Sequence, residues 1–197
     1  MEAIPIRYRL KLKESDQQQH ESQILKKMEH LSTIMRPIRY GYLTKDGKKR
    51  VGYDIDNNKM FYEYILETPQ EVLDNKLGVC WDQVELERYY CNKHDIPFNT
   101  YFSIVGKNSN THTFLVFKTE DNKLYYFENS WYNYRGIHGP FTSIKDIFKT
   151  VYKQLLTVNK YMKLMRVYKY GKPQYGCNML DFQKFAMKHL VYKEGGD

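Results

Sequence analysis

Cysteine is scarce in this chain, with three in 197 residues. Cys80, Cys91 and Cys177 are odd in number and lack metal-ligand spacing. This excludes a disulfide framework and points to free thiols in a reducing compartment, with the cytoplasm as the expected location. No apolar run approaches the roughly 20 residues of a membrane span, so no membrane is expected as a partner. Met1-Glu2-Ala3-Ile4-Pro5 is not a charged segment leading into an apolar core, so no signal peptide is expected. There is no phosphate-cradling glycine loop and no metal-binding cluster, and neither a metal nor a cofactor is expected. Helix-turn-helix, zinc-finger and RNP-like signatures are missing. So are internal repeats, low-complexity segments and linkers.

Apolar and aromatic residues are plentiful. Hydrophobic content is 42% and aromatic content 16%, enough for a packed core in one domain of ordinary size. The net charge is +8, from 31 Lys+Arg against 23 Asp+Glu. The lysines are scattered on the polar sides of periodic segments. That pattern is a solvated basic surface, and nucleic acid is not the expected partner despite the charge.

The hydropathy periods give a mixed chain. Ile4 to Leu12 alternates as a strand, and Ser15 caps a helix that ends at Pro37. Tyr40 and Tyr42 lead into Asp46-Gly47, a hairpin turn, with Val51 and Tyr53 on the return. Asp56-Asn57-Asn58 reads as a turn, followed by a short buried segment through Ile65. Thr68-Pro69-Gln70-Glu71 is a helix start with N-cap, proline at N1 and glutamate at N3. A central helix runs from Cys80 to Asn92, apolar on several sides and therefore buried on several sides. Ile96–Ile104, Thr111–Lys118 and Lys123–Ser130 are strands. Trp131–Pro140 reads as an aromatic, glycine-containing loop. Ser143 caps a helix with Ile144, Ile147, Phe148, Val151 and Leu155 on one stripe. Met162–Tyr170 is a strand, and Asn178 to Tyr192 a last helix. The fold class is α+β. Residues 1–37 form a strand and helix extension ahead of a domain spanning 38–197, or the chain is one continuous domain.

Cys80 stands where the central helix begins. There the thiol meets backbone N–H groups without intrahelical acceptors and the positive end of the dipole. Both favour thiolate over thiol, the form that acts as a nucleophile. Cysteine chemistry also needs an imidazole to hold and transfer the proton, and a group that fixes the imidazole tautomer. His112 lies at the start of an apolar strand, and Glu128 and Asn129 end the strand that hairpins back beside it. A helix packed on that hairpin brings cysteine and histidine together. The other histidines lack such a setting. His20 and His30 lie in an amphipathic helix, His94 follows a helix end, His138 is in a loop and His189 is in the last helix.

Gly78-Val79-Cys80-Trp81, Thr111-His112-Thr113-Phe114 and Phe127-Glu128-Asn129-Ser130-Trp131 resemble the three core motifs of the transglutaminase-like superfamily, which shares its catalytic arrangement with papain-like proteases. The resemblance runs from about Pro69 to Trp131. It implies a nucleophile helix packed on an antiparallel sheet, with Cys80 as nucleophile and His112 as base and acid. The superfamily's third residue is an aspartate ending the strand after the histidine, a place Glu128 takes here. Asn129-Ser130-Trp131 also resembles the Asn-Ser-Trp of papain-like enzymes. The short Cys80-to-His112 interval favours the transglutaminase-like core, since papain-type chains place the histidine about 130 residues or more downstream.

Strand parity separates the two candidates. Directly opposed residues of an antiparallel pair share a face. If His112 falls opposite an even-numbered residue, Glu128 shares its face; if opposite an odd-numbered one, Asn129 does. Glu128 is the expected third member, because a carboxylate stabilises an imidazolium, and Asn129 is the alternative. Trp81, Gln83, Trp131 and Tyr132 are candidate substrate-binding residues, and Gln83 is a candidate oxyanion donor. The resemblance implies an enzyme that attacks an amide of a protein or peptide, forms a thioester and passes the acyl group to water or an amine. The alternatives are a peptide- or protein-binding module on the same fold, and a basic nucleic-acid-associated protein.

Overall fold

The computed structural model describes residues 23–52, 55, 57–106, 110–158 and 164–195. The strand expected over residues 4–12 and the cap at Ser15 lie outside the described residues.

The fold is α+β, built on an open six-stranded sheet. β1 (Gly41–Leu43) and β2 (Lys49–Val51) form a separate hairpin around the Asp46-Gly47 turn, where Gly47 takes φ +79°. The main sheet contains β3 (Phe98–Val105), β4 (Asn110–Lys118), β5 (Leu124–Glu128), β6 (Gly136–Phe141), β7 (Leu164–Tyr170) and β8 (Leu190–Gly195). Its order is β6-β5-β4-β3-β7-β8, and every neighbouring pair is antiparallel.

Helices cover both faces of this sheet. On one face Tyr101, Phe114, Val116, Tyr126 and Val167 pack against Ile147, Phe148, Val151 and Leu155 of α5 (Ile144–Val158). On the other, Phe102, Leu115, Phe117 and Phe127 pack against α4 (Cys80–Lys93). Burial of both faces explains why Phe114-Leu115-Val116-Phe117 is continuously apolar rather than alternating. Further helices wrap α4. α1 (residues 23–35) puts Ile24, Met28, Leu31 and Met35 into the same core as α4. The Tyr90 hydroxyl of α4 donates to the Lys27 carbonyl at 2.9 Å. α2 (Asn57–Glu63), α3 (Pro69–Asn75) and α6 (Met179–Ala186) complete the layer. Enclosed in this way, α4 is buried at eleven of its positions, charged ones included. α3 starts with a reciprocal cap: the Glu71 N–H donates to Thr68 Oγ1, and the Thr68 N–H donates to the Glu71 carboxylate at 2.7 Å.

Three segments differ from the expectation. Asn57 and Asn58 open α2 instead of forming a turn, and the segment through Glu63 is helical. Asparagine favours helix starts as well as turns, and Met60 and Tyr64, four apart, turn into the core together. The stretch read as a loop over Trp131–Pro140 contains a 3₁₀ turn at Tyr132–Tyr134 and most of β6. Gly139 permits that strand. A Cβ there would sit 2.6 Å from the Tyr125 ring, and its φ is +140°. The last helix stops at Ala186, and Leu190–Gly195 is a strand paired with β7. The helical spacing of Met179, Phe182 and Ala186 continues to Leu190. The open edge of β7 offers backbone partners there, and Val191 and Tyr192 are strand formers.

Candidate active site

The site begins with the entry to α4. Gly78 is required by close packing: a Cβ there would lie 3.0 Å from the Asp82 Cβ and 3.3 Å from the Gln83 Cγ. Asp82, in the first turn, accepts the Val79 N–H at 2.9 Å. Its other oxygen accepts the Tyr64 hydroxyl at 2.7 Å and the Glu67 N–H at 3.0 Å. Gln83 donates its amide to the Gly78 carbonyl at 2.7 Å. The short loop carrying Cys80 is thus fastened from inside the helix it opens.

His112 sits near the start of β4. The β4–β5 ladder runs from Lys118↔Leu124 to Leu115↔Phe127, three residues short of His112. In this register even residues oppose even ones, so Glu128 lies on the face of His112, Phe114 and Val116. Asn129 lies on the opposite face, toward α4. Glu128 Oε2 is 2.7 Å from His112 Nε2. Cys80 acts on the same ring and raises it. With Nε2 taken by Glu128, Nδ1 is the nitrogen left for a thiol.

Glu128 is itself held. Oε1 accepts the Ser130 hydroxyl at 2.8 Å and the Trp131 N–H at 2.9 Å. Burial works against its charge, but the His112 imidazolium and these donors outweigh it and keep the carboxyl below its ordinary range. Burial likewise opposes a charge on His112. The Glu128 carboxylate and the hydrogen bonds to Cys80 and Glu128 prevail, lifting the ring from 6.5 to about 10. The two shifts run in opposite directions, the carboxyl down and the imidazole up, and both favour the ion pair. Glu87 of α4 lies nearby and is 1% exposed. Burial first, and then the charge of Glu128, push its carboxyl well above the usual range.

Two cavities, each about 310 Å³, meet at this pair. One is lined by His112, Ser130, Trp131 and Leu155. The other is lined by Cys80, Trp81, Met60, Phe61 and Met179. Tyr40, Asn110 and Thr111 border both. A substrate carbonyl at Cys80 therefore has room on either side.

The structure distributes the expected residues unevenly. Cys80, His112 and Glu128 come together. Asn129 donates instead to the Gln83 side chain at 2.7 Å and to the Met35 carbonyl at 3.2 Å, away from the ring. Trp131 lines the cleft, its ring edge-on to His112 at 5.9 Å. Trp81 floors the Cys80 cavity but is a core residue, stacked on Phe182 at 4.6 Å. Two expectations are corrected. Gln83 does not face substrate: it is fully buried, with both ends of its amide engaged inside the protein. Tyr132 lies under Arg135 and lines a different cavity with Ser32, Thr33 and Arg36. The sequence reading missed Tyr40, which looked like one strand residue among several. Its neighbours in the cleft come from distant elements, and no local pattern marks it.

Cys91 is fully buried, and burial pushes its thiol upward. Cys177 is half-buried and pushed up to about 11, also by burial. No group of three or more His, Cys, Asp or Glu side chains is placed to hold a metal ion among the described residues. Among them, no helix is long and apolar enough to cross a membrane. No family model matches the chain, and no curated protein matches it.

Proposed function

We propose that the chain is a cysteine-dependent enzyme of the transglutaminase-like type, with a papain-like core, that transfers acyl groups from amides of proteins or peptides. One observation carries this reading. A buried carboxylate, Glu128, holds Nε2 of His112 at 2.7 Å, and the thiol at the first residue of α4 acts on the same ring. A histidine satisfied only by packing would not need a buried charged partner on one nitrogen beside a thiol at a helix start.

The chemistry follows from the placement. His112 holds the proton taken from Cys80 as an imidazolium stabilised by Glu128, which leaves Cys80 as the nucleophilic thiolate. The thiolate attacks the carbonyl carbon, and a C–S bond forms as the carbonyl electron pair moves to oxygen. The Cys80 N–H, in the first turn and without an intrahelical acceptor, is placed to stabilise that oxygen. His112 returns its proton to the leaving nitrogen, the C–N bond breaks, and a thioester remains. Water or an amine then gives a proton to His112 and attacks the thioester. Breaking the C–S bond releases the product, and the thiolate is reprotonated by His112. The acceptor is set by the cleft rather than by the fold. The three free cysteines fit a reducing compartment such as the cytoplasm.

The test is labelling with a peptide-like chloromethyl ketone, followed by mapping of the modified residue. The expected result is rapid modification of Cys80, lost in Cys80→Ala and slowed in His112→Ala. Equal labelling of all three cysteines, or none in the native protein, would refute the proposal.

A further inference from the structure

We propose that the Tyr40 hydroxyl is the second oxyanion donor of the site, acting with the Cys80 N–H. The proposal rests on the acyl-transfer reading above and names a residue that nothing in the motifs marks.

Backbone geometry places Tyr40 beside the nucleophile. Its neighbour Arg39 is stitched to the segment that enters α4. The Arg39 N–H donates to the Lys76 carbonyl at 3.0 Å, and the Gly78 N–H donates to the Arg39 carbonyl at 3.2 Å. Arg39 and Leu77 form a parallel bridge. On the other side, Gly41 is pressed so closely that a Cβ would lie 2.6 Å from the Leu77 side chain. Tyr40 is held between these fixed points, and Gly78, bonded to its neighbour Arg39, is two residues from Cys80.

Its side chain borders both cavities, the one lined by Cys80 and the one lined by His112. It therefore borders the space between the thiol and the imidazole, which a carbonyl under attack would enter. The side chain is 46% exposed overall. Burial at the cleft, together with the charges of Cys80, Asp82 and Glu128, raises the phenol well above its ordinary range. The group keeps its proton and remains a donor. Gln83, the donor expected from sequence, is spent on the Gly78 carbonyl. A donor aimed at a forming oxyanion typically contributes about 10²–10³ in rate.

Two probes of Cys80 separate the possibilities. Iodoacetamide alkylates the thiolate by displacement and develops no oxyanion. p-Nitrophenyl acetate acetylates it through a tetrahedral oxyanion: the C–S bond forms, the ester C–O bond breaks, and p-nitrophenolate leaves. Tyr40→Phe removes one oxygen from a part-exposed ring and should leave the melting temperature unchanged. Its acetylation rate should fall about tenfold or more, while alkylation of Cys80 stays within about twofold of wild type. Unchanged acetylation would overturn the proposal. An equal loss in both probes would also overturn it, since the tyrosine would then act on the thiol. Trp81→Phe serves as the rival, because Trp81 Nε1 is buried without a partner and its ring borders the same cavity. Loss of acetylation there and not in Tyr40→Phe would assign the role to Trp81. If wild-type Cys80 reacts with neither probe faster than Cys177, the nucleophile assignment fails, and the role of Tyr40 with it.

Discussion

Replacing Glu128 with Gln tests the site at its most constrained point. Three donors converge on this carboxylate: the His112 ring at 2.7 Å, the Ser130 hydroxyl at 2.8 Å and the Trp131 N–H at 2.9 Å. Glutamine has one oxygen and one NH₂. If the oxygen faces His112, the NH₂ opposes the Trp131 N–H and the Ser130 hydroxyl must turn away. If the oxygen faces Trp131, the NH₂ donates to Nε2 and the proton moves to Nδ1, so the ring can no longer accept the Cys80 proton. Either arrangement removes the charge that stabilises the imidazolium. A hydrogen bond to a charged group contributes about 1.5–3 kcal/mol, and 1.36 kcal/mol is a factor of ten. Alkylation of Cys80 by iodoacetamide at pH 6.5 should therefore slow by about 10- to 100-fold. Acyl transfer should fall further, because the imidazolium must also deliver a proton to the leaving group. A Cys80 alkylation rate within twofold of wild type would sink the assignment, most clearly if Asn129→Ala slowed the reaction instead.

Other outcomes follow from the same geometry. His112→Ala should lower stability by about 3–5 kcal/mol in urea titrations, because it strands a buried carboxylate, and adding Glu128→Gln should restore part of the loss. The His112 ring titrates at about 10 against an ordinary 6.5. Its contribution to stability is thus fully present below pH 6.5 and is lost as pH rises through about 10. Thermal melts of the wild type should fall across that window, and His112→Ala should flatten the decline. Gly78→Ala should cost about 1–3 kcal/mol through overpacking against Asp82 and Gln83, with slower alkylation of Cys80; wild-type values in both assays would contradict the close-approach argument. In the folded protein, mass mapping after brief alkylation should find Cys80 first, Cys177 slowly and Cys91 only after denaturant is added.

The parts of the fold legible in the sequence were those with strong local signals. The Thr68-Pro69-Gln70-Glu71 cap, the Asp46-Gly47 turn and the apolar stripe of α5 each act over a few residues. β6 and β8 were not legible because they are edge strands whose reason for pairing lies elsewhere. Gly136, Gly139 and Pro140 carry loop chemistry, yet β5 offers them an edge. The segment after Ala186 carries helical spacing, yet β7 offers it one too. A local reading cannot see a partner on another strand. The same holds for Tyr40, which is carried to the cleft by the bridge between its neighbour Arg39 and Leu77 rather than by its own surroundings in the chain.

The site was legible to the extent that parity could be stated, and the register shows why two adjacent residues both matched a motif. Glu128 and Asn129 sit on opposite faces where β5 ends. On one face Glu128 fixes the imidazole. On the other, Asn129 donates to Gln83, and Gln83 donates to the Gly78 carbonyl, two residues before Cys80. Asn129 also holds the Met35 carbonyl at the end of α1. One strand end thus braces both the ring and the loop that carries the thiol, and their separation is set by a single peptide unit. A one-residue slip of β5 would exchange the two side chains between faces. The carboxylate would then meet the Met35 and Gly78 carbonyl side, where only donors are useful, and the amide would meet the ring. The distance between thiol and imidazole is therefore tied to the same register that selects the carboxylate, so a substitution that shifts β5 should disturb both together rather than either one alone.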